Sequence, residues 1–175
     1  MWRTRVGYTG GVKTNPTYHA LGNHTEALQV DFDPQKISYE DVINLVWKSH
    51  NPIRSARSSQ YKSAIWFSDD EQLAIIESTM QPLAERFGQL PTTEVLPLGE
   101  FYNAEDYHQK YSLQYHKAAM DCFRKMYPDF NDFNRSTAAA RLNGFSAGHG
   151  MQALFETEKN LYGLDEEMLG KIVRN

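Results

Sequence analysis

The hydrophobic period changes abruptly across Asp33-Pro34, and that change restricts the chain more than any other local feature. Upstream, Leu28, Val30 and Phe32 fall on even positions and Gln29, Asp31 and Asp33 on odd ones, the period of a half-buried strand. Downstream, Ser38-Tyr39-Glu40-Asp41 reads as a capping box. Tyr39, Val42, Ile43 and Val46 then recur at helical spacing until His50-Asn51-Pro52 stops them. A strand that hands over to an amphipathic helix needs a sheet for the helix to cover.

The rest of the chain repeats the arrangement. Residues 1–8 read as a strand with Trp2, Thr4, Val6 and Tyr8 on one face, ended by Gly10-Gly11, and Asn15-Pro16 opens a turn. Arg54 to Lys62 is a basic, serine-rich loop; without glycine it suits a solvated loop better than a phosphate cradle. Ala64 to Phe67 is a short strand, Ser68 to Glu71 a second capping box, and Ile76, Met80, Leu83 and Phe87 carry a helix to Gly88, with Pro82 expected to kink or split it. Thr92 to Leu96 reads as another strand. Residues 101–123 read as one long helix with Tyr107, Tyr111 and Tyr115 on one face and His108 and His116 on the next, a stripe that more often packs than reacts. Beyond Tyr127 the pattern is turn-rich, and residues 128–175 are expected to be a peripheral extension of a single domain spanning residues 1–175.

Composition narrows the function classes. With 41% hydrophobic and 23% charged residues the chain has a soluble globular composition, and a net charge of -4 gives nucleic acid or an anionic membrane no electrostatic footing. No apolar run is long enough to span a bilayer and no charged-then-apolar leader opens the sequence, which points to a cytoplasmic protein. A single cysteine, Cys122, allows no internal disulfide and suits a reducing compartment.

The one candidate acid lies before the period change. Glu26 has the parity of the apolar face, so its carboxylate is expected at the lip of the core, where desolvation raises its pKa and fits it to donate a proton near neutral pH. The plainer alternative is a glutamate at the start of a strand pointing into solvent. Phenols are at hand in Tyr18, Tyr61, Tyr107 and Tyr111. His19 and His24 lie close before Glu26, but the spacing matches no common metal-ligand pattern, and no serine sits in a nucleophile elbow. An acid with several phenols suits holding and protonating a small, strongly polar oxygen. No nucleophile accompanies them.

In this order and roughly this spacing, RTRVGYTGG, NPTY, NHTE leading into ALQVDFDPQKISYEDVINLVW, QYKSAIWF and FYNAEDYHQKY resemble the A-type peptide methionine sulfoxide reductases. LNGFSAG is similar to a C-terminal segment of an insect-like branch of that family. The resemblance implies an α+β fold: a two-layer sandwich whose mixed sheet has a ferredoxin-like plait at its core. It implies thiol-dependent reduction of the S epimer of methionine sulfoxide, free or in proteins, a repair of oxidative damage that is specific for one epimer. Glu26 would be the acid and Tyr18 and Tyr61 the oxygen-side phenols, with Tyr107, His108 and Tyr111 lining or supporting the site. No metal or bound cofactor is implied; thioredoxin or another dithiol would be the reductant. The family's Gly-Cys-Phe-Trp-Gly signature, which supplies the nucleophile, does not occur here. By comparison with relatives the chain starts after that strand and its helix, and on its own it is expected to be poorly stable. Cys122 lies where the family has no catalytic cysteine, and an aspartate usual before QYKS has no counterpart, Ala56 or Arg57 falling near its place.

Overall fold

The computed structural model describes residues 2–56 and 58–173. Met1, expected in the first strand, Arg57 in the basic loop and the last two residues of the tail lie outside the described residues. The chain forms two compact units: Met1–Val6, Leu28–Phe32 and Ala104–Asn175 make the first, Gly7–Ala27 and Asp33–Asn103 the second.

The elements follow the α+β order expected. β1 (Arg3–Thr9) and β2 (Thr25–Asp31) join β5 (Tyr102–Asn103) in a sheet of order β2-β1-β5, with β5 antiparallel to β1. Gly7 lies opposite Asn103 in that pairing, and a Cβ there would collide with the Tyr102 carbonyl. β3 (Ala64–Phe67) and β4 (Glu94–Pro97) form a separate parallel pair. β4 starts later than the sequence suggests because Thr92 N–H donates to Pro52 O at 2.7 Å, tying that residue to the chain beyond the first helix.

In the second unit, α1 (Tyr39–Ser49) carries the expected capping box, Ser38 and Asp41 bonding each other reciprocally. α2 (Asp70–Phe87) is capped by Asp69 rather than Ser68: its carboxylate accepts the Gln72 N–H at 2.8 Å, while Gln72 Oε1 accepts the Ser68 N–H at 3.0 Å. Pro82 does not split this helix, which runs unbroken to Gly88 in the left-handed region at φ 69°. Ile43, Trp47, Ile65 and Ile76 form the core between α1, α2 and β3, and the buried indole N–H of Trp47 donates to Thr79 Oγ1 at 2.8 Å.

The first unit departs further from expectation. Residues 101–123 are not one helix. After β5 come a 3₁₀ turn (Asp106–His108), α3 (Tyr111–Gln114) and α4 (Lys117–Met126), broken at Lys110, which has φ 50°, and again at His116. The break is held by side chains that bond distant backbone. Gln109 takes the Val6 N–H on Oε1 at 3.0 Å and gives its amide to the carbonyls of Val6 and Ala104 at 2.8 and 3.0 Å. Lys110 Nζ, buried, donates to Thr4 O, Asn134 O and Asn134 Oδ1 at 2.6, 2.9 and 2.8 Å.

Residues 128–175 are likewise not peripheral. They form α5 (Phe130–Arg135), α6 (Thr137–Ser146), α7 (Gln152–Glu158) and α8 (Glu166–Val173). Phe133, Leu142, Phe145, Phe155, Leu169 and Ile172 from these helices close around Leu113 and Phe123 as the apolar core of the unit. Asp129 and Ser136 accept backbone N–H bonds as helix N-caps, which makes short helices out of a turn-rich sequence.

Candidate active site

The local sequence builds the site from a tied loop. Gly11 N–H donates to His24 Nδ1 at 3.1 Å, so the ring proton resides on Nε2, which donates to Lys13 O at 2.7 Å. His24 is 1% exposed and its ring meets Tyr102 edge-on, 5.6 Å between centroids. A Cβ on Gly11 would come within 2.6 Å of that imidazole, which explains the glycine. With both nitrogens used in this way, His24 is a structural bridge rather than a ligand, and among the described residues no group of three or more His, Cys, Asp and Glu could hold a metal ion. Lys13 Nζ bonds Ala20 O at 2.5 Å and Val12 N–H bonds Asn23 Oδ1 at 3.0 Å, which closes the loop carrying Tyr18 and delivers the chain to β2.

At the start of β2 two bonds fasten a second segment beside it. Thr25, fully buried, donates its hydroxyl to Ser59 O at 2.8 Å, and Glu26 N–H donates to Gln60 O at 3.0 Å. Gln60 is thereby placed to donate its side-chain amide both to Glu26 Oε1 at 2.8 Å and to Tyr61 Oη at 3.1 Å. The hydrogen bond between the Tyr18 and Tyr61 phenols is the main cause that raises Tyr61 above the usual tyrosine value. Some desolvation and the charges on Tyr18 and Glu26 push the same way, and the Gln60 amide pushes against them. Tyr61 therefore stays protonated, a donor, throughout the neutral range.

Three of the residues proposed from sequence thus stand together in the second unit: Tyr18, Glu26 and Tyr61. Gln60, which joins acid to phenol, is not among the residues expected from sequence, although it adjoins Tyr61 in the QYKS stretch. Glu26 does not share a covered face with the apolar residues of its parity. Glu26 is exposed and Leu28 on the same parity is 61% exposed, whereas the neighbouring odd position, Thr25, is buried; the carboxylate stands at an open surface and not at the lip of the core.

Tyr107, His108 and Tyr111 belong to the first unit. The rings of Tyr107 and His108 are 4.2 Å apart, on the 3₁₀ turn. Tyr111 and Tyr115 meet edge-on at 5.1 Å and share a phenol–phenol hydrogen bond, which raises the pKa of Tyr115. Because of the break at Lys110, Tyr107 is not part of that helical face. Cys122, on α4 in the same unit, lies with its Sγ 3.7 Å from Met168 Sδ, and the nearby Arg124 guanidinium pairs with Asp121 at 2.9 Å.

A carboxyl group in its acid form can protonate an oxygen, and phenols beside it can donate hydrogen bonds to that oxygen; Glu26, Gln60, Tyr61 and Tyr18 bring these groups into one hydrogen-bonded chain. Comparisons with known proteins bear on the family. Residues 1–142 match the family model described as peptide methionine sulfoxide reductase. The chain is 37% identical over 167 residues to the peptide methionine sulfoxide reductase of Drosophila melanogaster, covering 93% of this chain and 65% of that protein. It is 35% identical over 152 residues to peptide methionine sulfoxide reductase A5 of Arabidopsis thaliana, covering 83% of this chain and 59% of the relative. The chain thus spans less than two thirds of the length of these relatives. Among solved structures it is similar to methionine sulfoxide reductase A of Corynebacterium diphtheriae, with TM-score 0.55 and 32% identity over 63% of this chain and 62% of that one. It also shares its fold with reduced Mxr1 of Saccharomyces cerevisiae, with TM-score 0.60 and 23% identity over 65% of this chain and 71% of that one. The chain belongs to the peptide methionine sulfoxide reductase family.

Proposed function

We propose that this chain carries the acid and the oxygen-binding phenols of a thiol-dependent reductase for the S epimer of methionine sulfoxide, in proteins or free. The observation that supports the reading is the bonded chain Glu26–Gln60–Tyr61–Tyr18 on one surface. In the reaction a thiolate attacks the sulfoxide sulfur, Glu26 in its acid form gives a proton to the oxygen, and Tyr18 and Tyr61 donate hydrogen bonds to it as charge builds there. The oxygen leaves the methionine on the thiol as a sulfenic acid. A second thiol converts that to a disulfide with release of water, and thioredoxin or another dithiol restores the thiol. The compartment consistent with such chemistry is the reducing cytoplasm, and the role is protein repair. Tyr107, His108 and Tyr111 are proposed as supporting residues.

The attacking thiol is not assigned to Cys122, whose sulfur packs against Met168 in the helical unit. The same observation favours a second reading for this sequence by itself, a module that binds methionine sulfoxide without reducing it. The test joins the chain to a segment bearing the Gly-Cys-Phe-Trp-Gly signature and measures dithiol-dependent reduction of each sulfoxide epimer. Turnover of the S epimer alone is expected, and Glu26→Gln should lower it by about 10²- to 10⁴-fold with an unchanged circular dichroism spectrum. An inert joined protein that binds sulfoxide peptide, more weakly after Tyr18→Phe with Tyr61→Phe, would establish the binding module instead.

A further inference from the structure

Beside Tyr61 the second unit opens into a groove of about 400 Å³ that the chemistry above leaves unused. Its walls include His50, Asn51, Arg54, Ser55, Ser58 and Tyr61. Tyr61 is therefore both a wall of the groove and a member of the Glu26 cluster. A hollow of similar size adjoins it, sharing Ser55, Ser58 and Ser63.

The described cations around this groove differ in their pairing. His50 donates from Nδ1 to Val46 O at 2.9 Å, and its Nε2 lies 2.8 Å from Thr93 Oγ1. Lys62, in the adjoining hollow, is paired with Glu94 at 3.1 Å. Arg54 is exposed and forms no ion pair among the described residues, so it gives the groove an unbalanced positive charge. The serine hydroxyls and the Asn51 amide add neutral donors around it. A guanidinium among neutral donors presents paired N–H groups that match the two oxygens of a carboxylate.

We propose that this groove receives an Asp or Glu side chain of a peptide flanking the methionine sulfoxide, with Arg54 setting a preference for acidic sequence context. The proposal rests on the reading that the sulfoxide oxygen is held at Glu26. An extended peptide advances about 3.3 to 3.6 Å per residue, so a wall shared through Tyr61 corresponds to a near neighbour of the oxidised residue. Free methionine sulfoxide would leave the groove empty.

The experiment is fluorescence anisotropy of labelled peptides on the intact chain. Each peptide has a central methionine sulfoxide flanked on both sides by Asp, Ser, phosphoserine or Lys, with an Asp-flanked peptide of unoxidised methionine as control. The Asp peptide should bind about three- to fivefold tighter than the Ser peptide at low salt, the range of an exposed ion pair, and the Lys peptide more weakly. High salt should erase the difference. Arg54→Ala should abolish it and Arg54→Glu reverse it. Equal affinity for the Asp and Ser peptides would overturn the groove assignment and leave the Glu26 reading standing. Much tighter binding of phosphoserine than of Asp would overturn the carboxylate assignment. If the unoxidised Asp peptide binds as tightly as the sulfoxide and still depends on Arg54, the groove stands and the Glu26 reading falls. No binding by any peptide overturns both.

Discussion

Single residues at the site act through bonds that local sequence only partly announces. Glu26, Tyr18 and Tyr61 were legible because each sits in a stretch that resembles the family, NHTE, NPTY and QYKS. Their geometry was not legible. Glu26 faces out because the neighbouring Thr25 is the residue that is buried and bonded to Ser59 O, and a parity count over three apolar residues could not tell which face of β2 is covered. The phenol pair allows a test that needs no turnover. Hydrogen bonding from Tyr18 is the largest cause that raises Tyr61, so Tyr18→Phe should bring the Tyr61 phenol back toward the ordinary value of about 10. The change can be followed by ¹³C NMR of ring-labelled tyrosine, with Tyr115 as an internal reference because its own shift comes from Tyr111. A Tyr61 titration unmoved by the substitution would mean that the two phenols do not share a proton-binding site.

At the scale of elements, the sequence was readable wherever structure is fixed by neighbours. α1 and β3 fall where their cap and apolar run put them, since Ser38 and Asp41 bond within one turn and Ala64–Phe67 is a continuous apolar run. The stretch from Phe101 to Phe123 was misread as one helix because what breaks it is far away: Gln109 and Lys110 bond backbone of Thr4 and Val6, over a hundred positions distant. No periodicity records that. Burial, with the Arg5 charge adding to it, pushes Lys110 down to about 8, while the unfolded chain titrates near 10.5. Between those two values the unfolded state binds more proton than the native one, so this group makes stability rise with pH from about 8 to about 10.5 and imposes its full cost below 8. Urea denaturation across that window should show the rise, and Lys110→Met should flatten it. The same variant should lose about 1 to 3 kcal/mol near the upper end of that window, where the cost has gone, because the acceptors on Thr4 and Asn134 lose their donor. A slope that survives the substitution would assign it to another group.

For the molecule as a whole, the helical first unit is the part least visible in the sequence. Residues 128–175 looked peripheral because their helices are short and their apolar residues are scattered among turns. Each helix alone is below the length at which an isolated peptide holds its shape, so they exist only because they share a core. Phe123 stands at 0% exposure in that core, between Tyr127 and Phe133, with ring centroids 6.1 and 5.5 Å away. Truncating it removes a buried ring and leaves a cavity, a loss of about 3 to 5 kcal/mol. A domain's whole margin is only about 5 to 15 kcal/mol, so Phe123→Ala should remove much of the chain's stability in chemical denaturation. Leu161 is the matched control: it belongs to the same tail but is 78% exposed, and Leu161→Ala should change stability by less than about 0.5 kcal/mol. A large difference between the two variants identifies the tail as an integral part of the folded unit. Equal and small effects would return it to the status of an appendage, and the core drawn around Leu113, Phe123 and Leu142 would then not be what holds this unit together.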